Sequence, residues 1–246
     1  MKKLLVANRK GGVGKTTTTI NVAACLASMG YRVLLVDLDT QSHLQYGLGY
    51  KRAFKRGVHK ALESGKLKDV VVKTDFENLD LMPADINYDI SSINSHEALQ
   101  KLLNKAKKRV SYDYAIIDTP PTADMMLKNA LFCSDATLIP TQAEQLGFVG
   151  VIQFLKIFYK TATSINTKIR LFGILPTLVN SSMKEHGAIV ANIENIVGHN
   201  RVLDPIRKDF KLSQAFSDGK PIIHFAPRSR GAKDYSALAK NILDNL

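Results

Sequence analysis

A glycine-rich stretch near the start of the chain contains the residue types that bind phosphate groups. It reads Lys-Gly-Gly-Val-Gly-Lys-Thr-Thr over residues 10–17. Glycines let the backbone turn tightly and direct its N–H groups inward, while Lys15 can contact the β- and γ-phosphates of a nucleotide and the Thr16 hydroxyl can bind Mg²⁺. The predicted phosphate-binding residues are Gly11, Gly12, Val13, Gly14, Lys15, Thr16 and Thr17.

The segments on either side of this stretch have the pattern that such a loop requires. Residues 4–7 form an apolar run typical of a buried strand, and residues 18–27 have helical periodicity. A loop between a strand and a helix places its N–H groups at the helix N-terminus, where the helix dipole favours an anion. Strand, glycine loop and helix together predict a nucleotide-phosphate site rather than a chance turn.

Two acidic residues follow other apolar runs. Asp39 lies just after the run 33–36, and Asp118 ends the run 114–117. The carboxyl ends of parallel strands meet at one edge of a sheet, so Asp118 is expected beside the glycine loop, whereas Asp39 on its own could be an ordinary turn residue after a strand. There Asp118 can hold the water shell of a magnesium ion.

These motifs resemble the deviant Walker A ATPases of the ParA/MinD superfamily. The resemblance rests on the second lysine of the loop, Lys10, and on four further segments. Those segments are Asp-x-Asp-x-Gln at 37–41, Ile-Ile-Asp-Thr-Pro-Pro at 116–121, Pro-x-Gln-x-Glu at 140–144, and the stretch from 207 to 222. The chain departs from the family at Thr40, where the family has proline, and at Ser42-His43, where it usually has Gly-Asn.

The resemblance implies a single-domain P-loop NTPase of the α/β class, with ATP and Mg²⁺ as cofactors. It implies that Lys15 and Lys10 bind phosphates, the latter across a dimer interface onto the partner's nucleotide. By position, Asp39 matches the aspartate that orients the attacking water. The metal-site residues are expected to be Thr16, Asp39 and Asp118.

The C-terminal part of the resemblance concerns the base and DNA. Arg207 and Asp209 occupy positions that lie against the adenine in the family, although the family has proline and asparagine there. The net charge of +12 favours a polyanionic partner. In ParA proteins, basic residues of the C-terminal part bind DNA without sequence preference. The expected DNA-binding residues are Arg207, Lys208, Lys211, Lys220, Arg228, Arg230 and Lys233, with the run 51–56 as the alternative.

Composition and periodicity indicate one domain over residues 1–246. With 246 residues and 45% apolar content, the chain can bury one sizeable α/β core. Alternating patterns predict a mostly parallel sheet flanked by helices on both faces. Predicted strands are 3–8, 32–38, 78–82, 113–118, 135–140 and 169–175, with 201–206 and 221–225 as further candidates. Predicted helices are 15–29, 95–109, 123–133, 145–163, 183–198 and 231–245.

Several expectations follow from features that the sequence lacks. The ATPase pattern begins at residue 3, so no N-terminal helix-turn-helix domain is expected. No apolar run approaches the roughly 20 residues that span a membrane. The C-terminal stretch 235–244 is expected to dock on the sheet rather than to bind a membrane. A cytoplasmic, nucleoid-associated protein is the expectation.

The resemblance therefore implies a ParA/Soj-like partition ATPase with weak intrinsic activity. ATP would join two subunits into a homodimer that binds double-stranded DNA, and a ParB-like or equivalent cargo adaptor would stimulate hydrolysis and release. One alternative is a MinD-like membrane-associated ATPase that positions cell division or flagella. Another is a metal- or electron-transfer P-loop protein, although Cys25 and Cys133 lie in apolar helical stretches rather than in glycine-rich loops. The cargo, whether chromosome, plasmid or protein assembly, is left open.

Overall fold

Seven strands form one sheet in the computed structural model, which describes all residues from 1 to 246. The strands lie in the order β3-β4-β2-β5-β1-β6-β7, and only the β3–β4 pair is antiparallel. Their bounds are β1 Lys2–Val6, β2 Val33–Asp37, β3 Val72–Lys73, β4 Leu79–Met82, β5 Tyr114–Asp118, β6 Ala136–Gln142 and β7 Arg170–Thr177. The predicted α/β fold with a mostly parallel sheet is confirmed.

Ten helices connect and cover these strands. Their bounds are α1 Lys15–Ser28, α2 His43–Gly47, α3 Val58–Ser64, α4 Ala98–Arg109, α5 Met125–Cys133, α6 Gln145–Ser164, α7 Lys184–Val197, α8 Phe210–Ser217, α9 Ile222–Phe225 and α10 Arg230–Asn245. The six long helices predicted from periodicity are all present. The short helices α2, α3, α8 and α9 span between four and eight residues each and were not predicted as helices.

Two strand candidates were wrong. Residues 201–206 make one isolated bridge to β7, from Val202 to Ile174, and the next residue, Arg207, makes another to Val179. Pro205 lies between the two bridges and has no N–H to donate to a continuous ladder. Residues 222–225 form one helical turn, which begins after Pro221. Proline has no N–H to give to a sheet and its fixed φ suits a helix start, so this segment favours the helix.

The apolar side chains of the sheet alternate between two separate cores, one on each face. In β1, Leu5 packs into a core with helices α3 to α7, whereas Leu4 and Val6 pack into a second core with α1, α2, α8, α9 and α10. Successive residues of a strand point to opposite faces, which explains why nearly continuous apolar runs form these strands. Burial of both faces is the main force that holds the three layers together.

The helix starts differ in how their free N–H groups are satisfied. The Asp124 carboxylate accepts hydrogen bonds from Met126 N and Leu127 N at the start of α5, and Ser229 Oγ accepts one from Ala232 N at the start of α10. Helix α1 instead follows Gly14 and has no side-chain cap. Its first N–H groups are therefore available to an anion.

The two cysteines lie on opposite faces of the sheet. Cys25 belongs to the core that contains α1, and Cys133 belongs to the core that contains α5. Burial raises the pKa of the Cys25 thiol to about 11 and that of Cys133 to about 12. The two thiols of one subunit therefore cannot bind the same metal cluster.

None of the helices combines the length and apolar character that crossing a membrane requires.

Ser42 is held in a backbone conformation that costs free energy. Its φ is 58° and ψ is 36°, and its buried Oγ has no hydrogen-bond partner. Glycine adopts this left-handed conformation without the steric cost of a Cβ atom. Part of the gain is offset because a glycine loses more backbone entropy on folding than a serine does. We expect Ser42→Gly to raise the free energy of unfolding by about 1 kcal/mol, measured by urea denaturation.

Ser42→Ala is the matched control, because it removes the hydroxyl but keeps the Cβ that causes the backbone strain. It should recover less stability than the glycine variant. A glycine variant that is no more stable than the wild type would contradict the assignment of strain to this position.

Candidate functional site

The ends of three adjacent strands bring the predicted site residues together. In the parallel register, Val6 of β1 lies opposite Asp118 of β5, and Asp118 lies opposite Asp37 of β2. The glycine loop leaves β1 at the same height at which β2 and β5 end. The sheet register alone therefore gathers the loop and the acidic residues at one edge.

Side chains from β6 and β7 hold the glycine loop in place. Asn8 Nδ2 donates to Pro140 O at 2.8 Å, Gln142 Nε2 donates to Gly12 O at 3.1 Å, and Thr177 Oγ1 donates to Val13 O at 3.0 Å. The bonds from Gln142 and Thr177 end on carbonyl groups of the loop, and Asn8, which precedes the loop, donates to a carbonyl of β6. The loop is thus fixed without occupying the N–H groups that a phosphate would need.

The lysine and threonine at the start of α1 lie against Asp118. Lys15 Nζ donates to Lys10 O at 3.1 Å, and Thr16 Oγ1 donates to Asp118 Oδ2 at 2.7 Å. Burial lowers the pKa of Lys15, and the nearby Asp118 and Asp39 partly oppose this shift. The ammonium group is therefore poorly compensated, which favours binding of an added anion.

The carboxylates of Asp37, Asp39 and Asp118 lie close together at this edge. Asp37 is fully buried, its Oδ1 accepts from Asp39 N at 3.0 Å, and its Oδ2 has no partner. Burial, followed by the charge of Asp118, raises the pKa of Asp37 well above its usual range. Burial also raises the pKa of Asp118 to about 7, against the hydrogen bond from Thr16 and the charge of Lys15. A bound cation would stabilise the ionised form of both carboxylates and so lower both pKa values.

The donor set fits a magnesium ion that arrives with phosphates. No group of three or more His, Cys, Asp or Glu side chains is arranged to hold a metal on its own. Mg²⁺ usually takes one or two protein oxygens together with waters and substrate phosphates. The Thr16 hydroxyl and the adjacent Asp118 carboxylate supply such oxygens, and the buried Asp37 Oδ2 nearby has no hydrogen-bond partner.

A cleft of about 760 Å³ extends from the glycine loop to helix α8. Its volume is that of a site for a small-molecule ligand. Several lining residues were not predicted as site residues. They are Gln41, His43, Pro121, Thr177, Leu178, Ile206, Phe210, Leu212, Ser213, Phe216, Ser217 and Tyr235.

Phe210 is the aromatic residue that sequence reasoning could have identified. It directly follows Asp209, one of the two residues expected near the base, and its side chain is 75% exposed at the cleft. An exposed ring at the first position of α8 is an unusual place for a large apolar group. It offers a flat surface on which a base can stack.

The structure separates the two residues that were expected to contact the base. Asp209 lines the cleft, but its Oδ1 accepts from Lys211 N and its Oδ2 accepts from Gly231 N, so the carboxylate caps α8. Arg207 is not among the cleft residues. Its guanidinium group binds both oxygens of Asp234 on α10, at distances of 2.7 to 3.2 Å.

Lys10 lies beside the loop and contacts residues of its own subunit. Its Nζ is 3.1 Å from Gln142 Oε1 and 3.5 Å from Glu144 Oε2. The side chain keeps 23% of its surface exposed. Of the predicted site residues, the loop glycines, Lys15, Thr16, Thr17 and Asp39 line the cleft. Asp118 lies behind Thr16, to which it is hydrogen-bonded, and Val13 is fully buried.

Comparison with known proteins identifies the family. Residues 1–171 match the family model described as AAA domain. The chain is 36% identical to the sporulation initiation inhibitor protein Soj of Bacillus subtilis, over 99% of each protein. It is 34% identical to the chromosome-partitioning ATPase Soj of Thermus thermophilus, over 99% of this chain and 96% of that protein.

The chain belongs to the Soj/ParA family of ATPases. The predicted family is thereby confirmed. Among solved structures, cobyrinic acid a,c-diamide synthase of Mycobacterium smegmatis with a bound ATP analogue and magnesium aligns with a TM-score of 0.82 and 30% identity, over 99% of this chain and 94% of that one. This Soj/ParA family member therefore shares its fold with a protein that binds an ATP analogue and magnesium.

Gly12 and Gly11 provide a matched pair for testing the strain in the loop. A Cβ at either position would meet nothing within 4 Å, but only Gly12 has a positive φ, of 74°. We expect Gly12→Ala to lower the free energy of unfolding by about 1–2 kcal/mol, the cost of a left-handed non-glycine residue. Gly11→Ala should leave it unchanged within about 0.5 kcal/mol.

Urea denaturation of the nucleotide-free proteins measures both values. Equal stability of the two variants would show that the loop is free to abandon this conformation.

Proposed function

We propose that this protein is a partition ATPase that cycles between nucleotide-dependent states of DNA affinity. ATP with Mg²⁺ joins two subunits, the dimer binds double-stranded DNA without sequence preference, and a ParB-like or equivalent adaptor stimulates hydrolysis and release. The observation that carries this proposal is that Lys15, Thr16 and Asp39 line one cleft of a Soj/ParA family chain, with Asp118 hydrogen-bonded to Thr16. The proposed unit is the whole of 1–246, in the cytoplasm on nucleoid DNA.

The cleft has distinct groups for each part of the nucleotide. The uncapped start of α1 and the loop N–H groups would bind the phosphates, and Lys15 would neutralise the β- and γ-phosphates. Mg²⁺ would lie between the phosphates and Thr16, with Asp118 holding its water ligands, and would offset the developing phosphate charge. The exposed ring of Phe210 would cover the base.

Hydrolysis would depend on Asp39 and on the second subunit. Asp39 lines the cleft, and its backbone is fixed by the Asp37 carboxylate. Orientation of a water by such a group is most of what phosphoryl transfer requires from a protein. Lys10 would leave Gln142 and Glu144 to reach the phosphates bound by the partner.

The surface around Lys10 supports pairing of two subunits on this face. Gly150 of α6 packs near Lys10, since a Cβ added at this glycine would lie 3.5 Å from the Cβ of Lys10. On the first turns of α6, Leu146 is 70% exposed and Val149 is 41% exposed. Exposed apolar side chains beside a functional lysine are typical of a surface that another molecule covers.

The exposed cations of the C-terminal part support DNA binding. Lys208, Lys211, Lys220, Arg228, Arg230 and Lys233 are all exposed and form no ion pair. Arg207 differs, since its charge is neutralised by Asp234. Six such cations per subunit would be doubled in a dimer, which raises the affinity for one polyanion.

Helix α10 favours this function over a MinD-like role at a membrane. Its apolar residues Ala232, Tyr235, Leu238, Ala239 and Ile242 are buried in the core that also contains α1. A helix that binds a membrane needs its apolar face free to enter the lipid. The α10 face is already covered by the protein.

The Asp39 variant tests the ATP cycle. If Asp39 orients the water, Asp39→Ala should bind ATP normally, hydrolyse it at least about a hundredfold more slowly and accumulate as a dimer. Titration with a fluorescent ATP analogue and light scattering measure binding and dimerisation. Lys15→Ala is the control, which should lose most nucleotide binding and stay monomeric. An Asp39→Ala protein that remains monomeric in saturating ATP would contradict the proposed cycle.

Two charge-reversal variants test the DNA surface. Arg228, Arg230 and Lys233 changed to Glu should abolish DNA binding and preserve ATP binding, because none of the three lines the cleft. Lys51, Arg52 and Lys55 changed to Glu alter the net charge equally and should do less. For a dimer with roughly four to eight phosphate contacts, log K should fall with log salt at a slope of about −4 to −7.

Gel shifts with and without ATP, at several salt concentrations, give both results. A larger loss from the 51–55 variant would assign DNA to the other face. No loss from either variant would refute the DNA-binding part of the proposal.

A further inference from the structure

We propose that His59 is a positioning residue that fixes the acidic segment Asp37–Leu38–Asp39 for hydrolysis. This inference rests on the proposed ATPase function, in which Asp39 orients the attacking water. His59 lies on α3, outside the cleft, and its side chain is completely buried. Its ring contacts the backbone of the residue between the two aspartates.

The Leu38 backbone lies just beyond the end of β2 and depends on individual partners. Leu38 N donates to Asp118 O at 3.1 Å, and Leu38 O accepts from His59 Nε2 at 3.2 Å. The carbonyl oxygen of Leu38 belongs to the peptide group whose nitrogen is that of Asp39. A rotation of this peptide would break the bond from Asp39 N to Asp37 Oδ1 and turn the Asp39 side chain away from the cleft.

The other atoms of the imidazole fix which nitrogen carries the proton. Asp85 N donates to His59 Nδ1 at 3.1 Å, so Nδ1 must be the acceptor and Nε2 the donor. The ring also stacks on Tyr88, with centroids 5.6 Å apart and planes 23° apart. Burial lowers the pKa of His59, which favours this neutral form.

The partner of His59 is itself held at several points. The Asp85 carboxylate accepts from Gly57 N at 2.8 Å and from Lys60 N at 2.9 Å, and Lys60 Nζ lies 3.3 Å away. The residue is almost fully buried. Asp85 thus joins the first turn of α3 to the segment after β4, and His59 extends this rigid frame to Leu38.

A second contact shows that the frame supports the whole acidic turn. Asn87 N, two residues after Asp85, donates to Thr40 O at 3.2 Å. The turn from 38 to 42 is therefore bound on one side by the segment 85–87 and by His59. A catalytic carboxylate must be held accurately, because a displacement of about 1 Å can lower the rate about a hundredfold.

Asparagine and glutamine at position 59 separate the two hydrogen bonds of the ring. The asparagine oxygen can replace Nδ1 as acceptor for Asp85 N but leaves Leu38 O without a donor. The glutamine nitrogen can replace Nε2 as donor to Leu38 O but leaves Asp85 N without its acceptor. Each variant loses one buried hydrogen bond, so a purely structural role predicts similar losses of stability and activity from both.

Positioning of Leu38 predicts different results from the two variants. His59→Asn should lower kcat for ATP hydrolysis by about ten- to a hundredfold, with KM and ADP affinity close to wild type. His59→Gln should keep most of the wild-type kcat. In nucleotide-free protein, amide hydrogen exchange of residues 38–42 should accelerate in the asparagine variant and not in the glutamine variant.

Equal activity of the two variants, or a wild-type kcat for His59→Asn, would overturn the proposal. Asp39→Ala, assayed in parallel, distinguishes a failure of the His59 proposal from a failure of the proposed function. If Asp39→Ala hydrolyses ATP at the wild-type rate, the role assigned to Asp39 is wrong. The hydrogen-exchange comparison of the two His59 variants still tests whether His59 fixes the 38–42 turn. If a variant does not fold, ¹⁵N NMR of the wild-type protein can show which imidazole nitrogen of His59 carries the proton. A proton on Nε2 supports the hydrogen bond to Leu38 O, and a proton on Nδ1 would exclude it.

Discussion

The burial of carboxylates at one edge of the sheet is the constraint on which the site depends. Asp37 and Asp118 lie opposite each other in adjacent parallel strands, and burial raises the pKa of both. Lys15 lies near Asp118, but burial lowers the pKa of its ammonium group and so weakens its charged form. Burial thus disfavours the ionised carboxylates in a position where water cannot stabilise them, and a divalent cation with its phosphates would stabilise the ionised form.

The parts of this arrangement that could be predicted from the sequence are those determined by local pattern. The glycine loop, the acidic strand ends and the long helices each have a periodicity or spacing of their own. Parallel pairing then dictates that strand ends meet at one edge, so the approach of Asp118 to Thr16 could be expected without coordinates. The short helices α2, α3 and α9 have too few residues for a period to be recognised.

The remaining features depend on contacts between distant parts of the chain. Arg207 reads as one more cation in a basic segment, and only the position of α10 reveals that Asp234 neutralises it. In the sequence, His59 is an isolated histidine in a short segment with no recognisable motif. Its role emerges from Leu38 and Asp85, which lie 21 and 26 residues away in opposite directions. No spacing rule predicts such a contact.

The Asp209 carboxylate has a consequence for how this molecule can change over evolutionary time. One oxygen caps α8 at the cleft and the other binds Gly231 N in the first turn of α10, beside Arg230 and Lys233. A single side chain thus joins the lining of the cleft to the first turn of α10, which carries Arg230 and Lys233. A substitution there would disturb both the cleft and the start of α10, so the two surfaces cannot be altered independently through this residue.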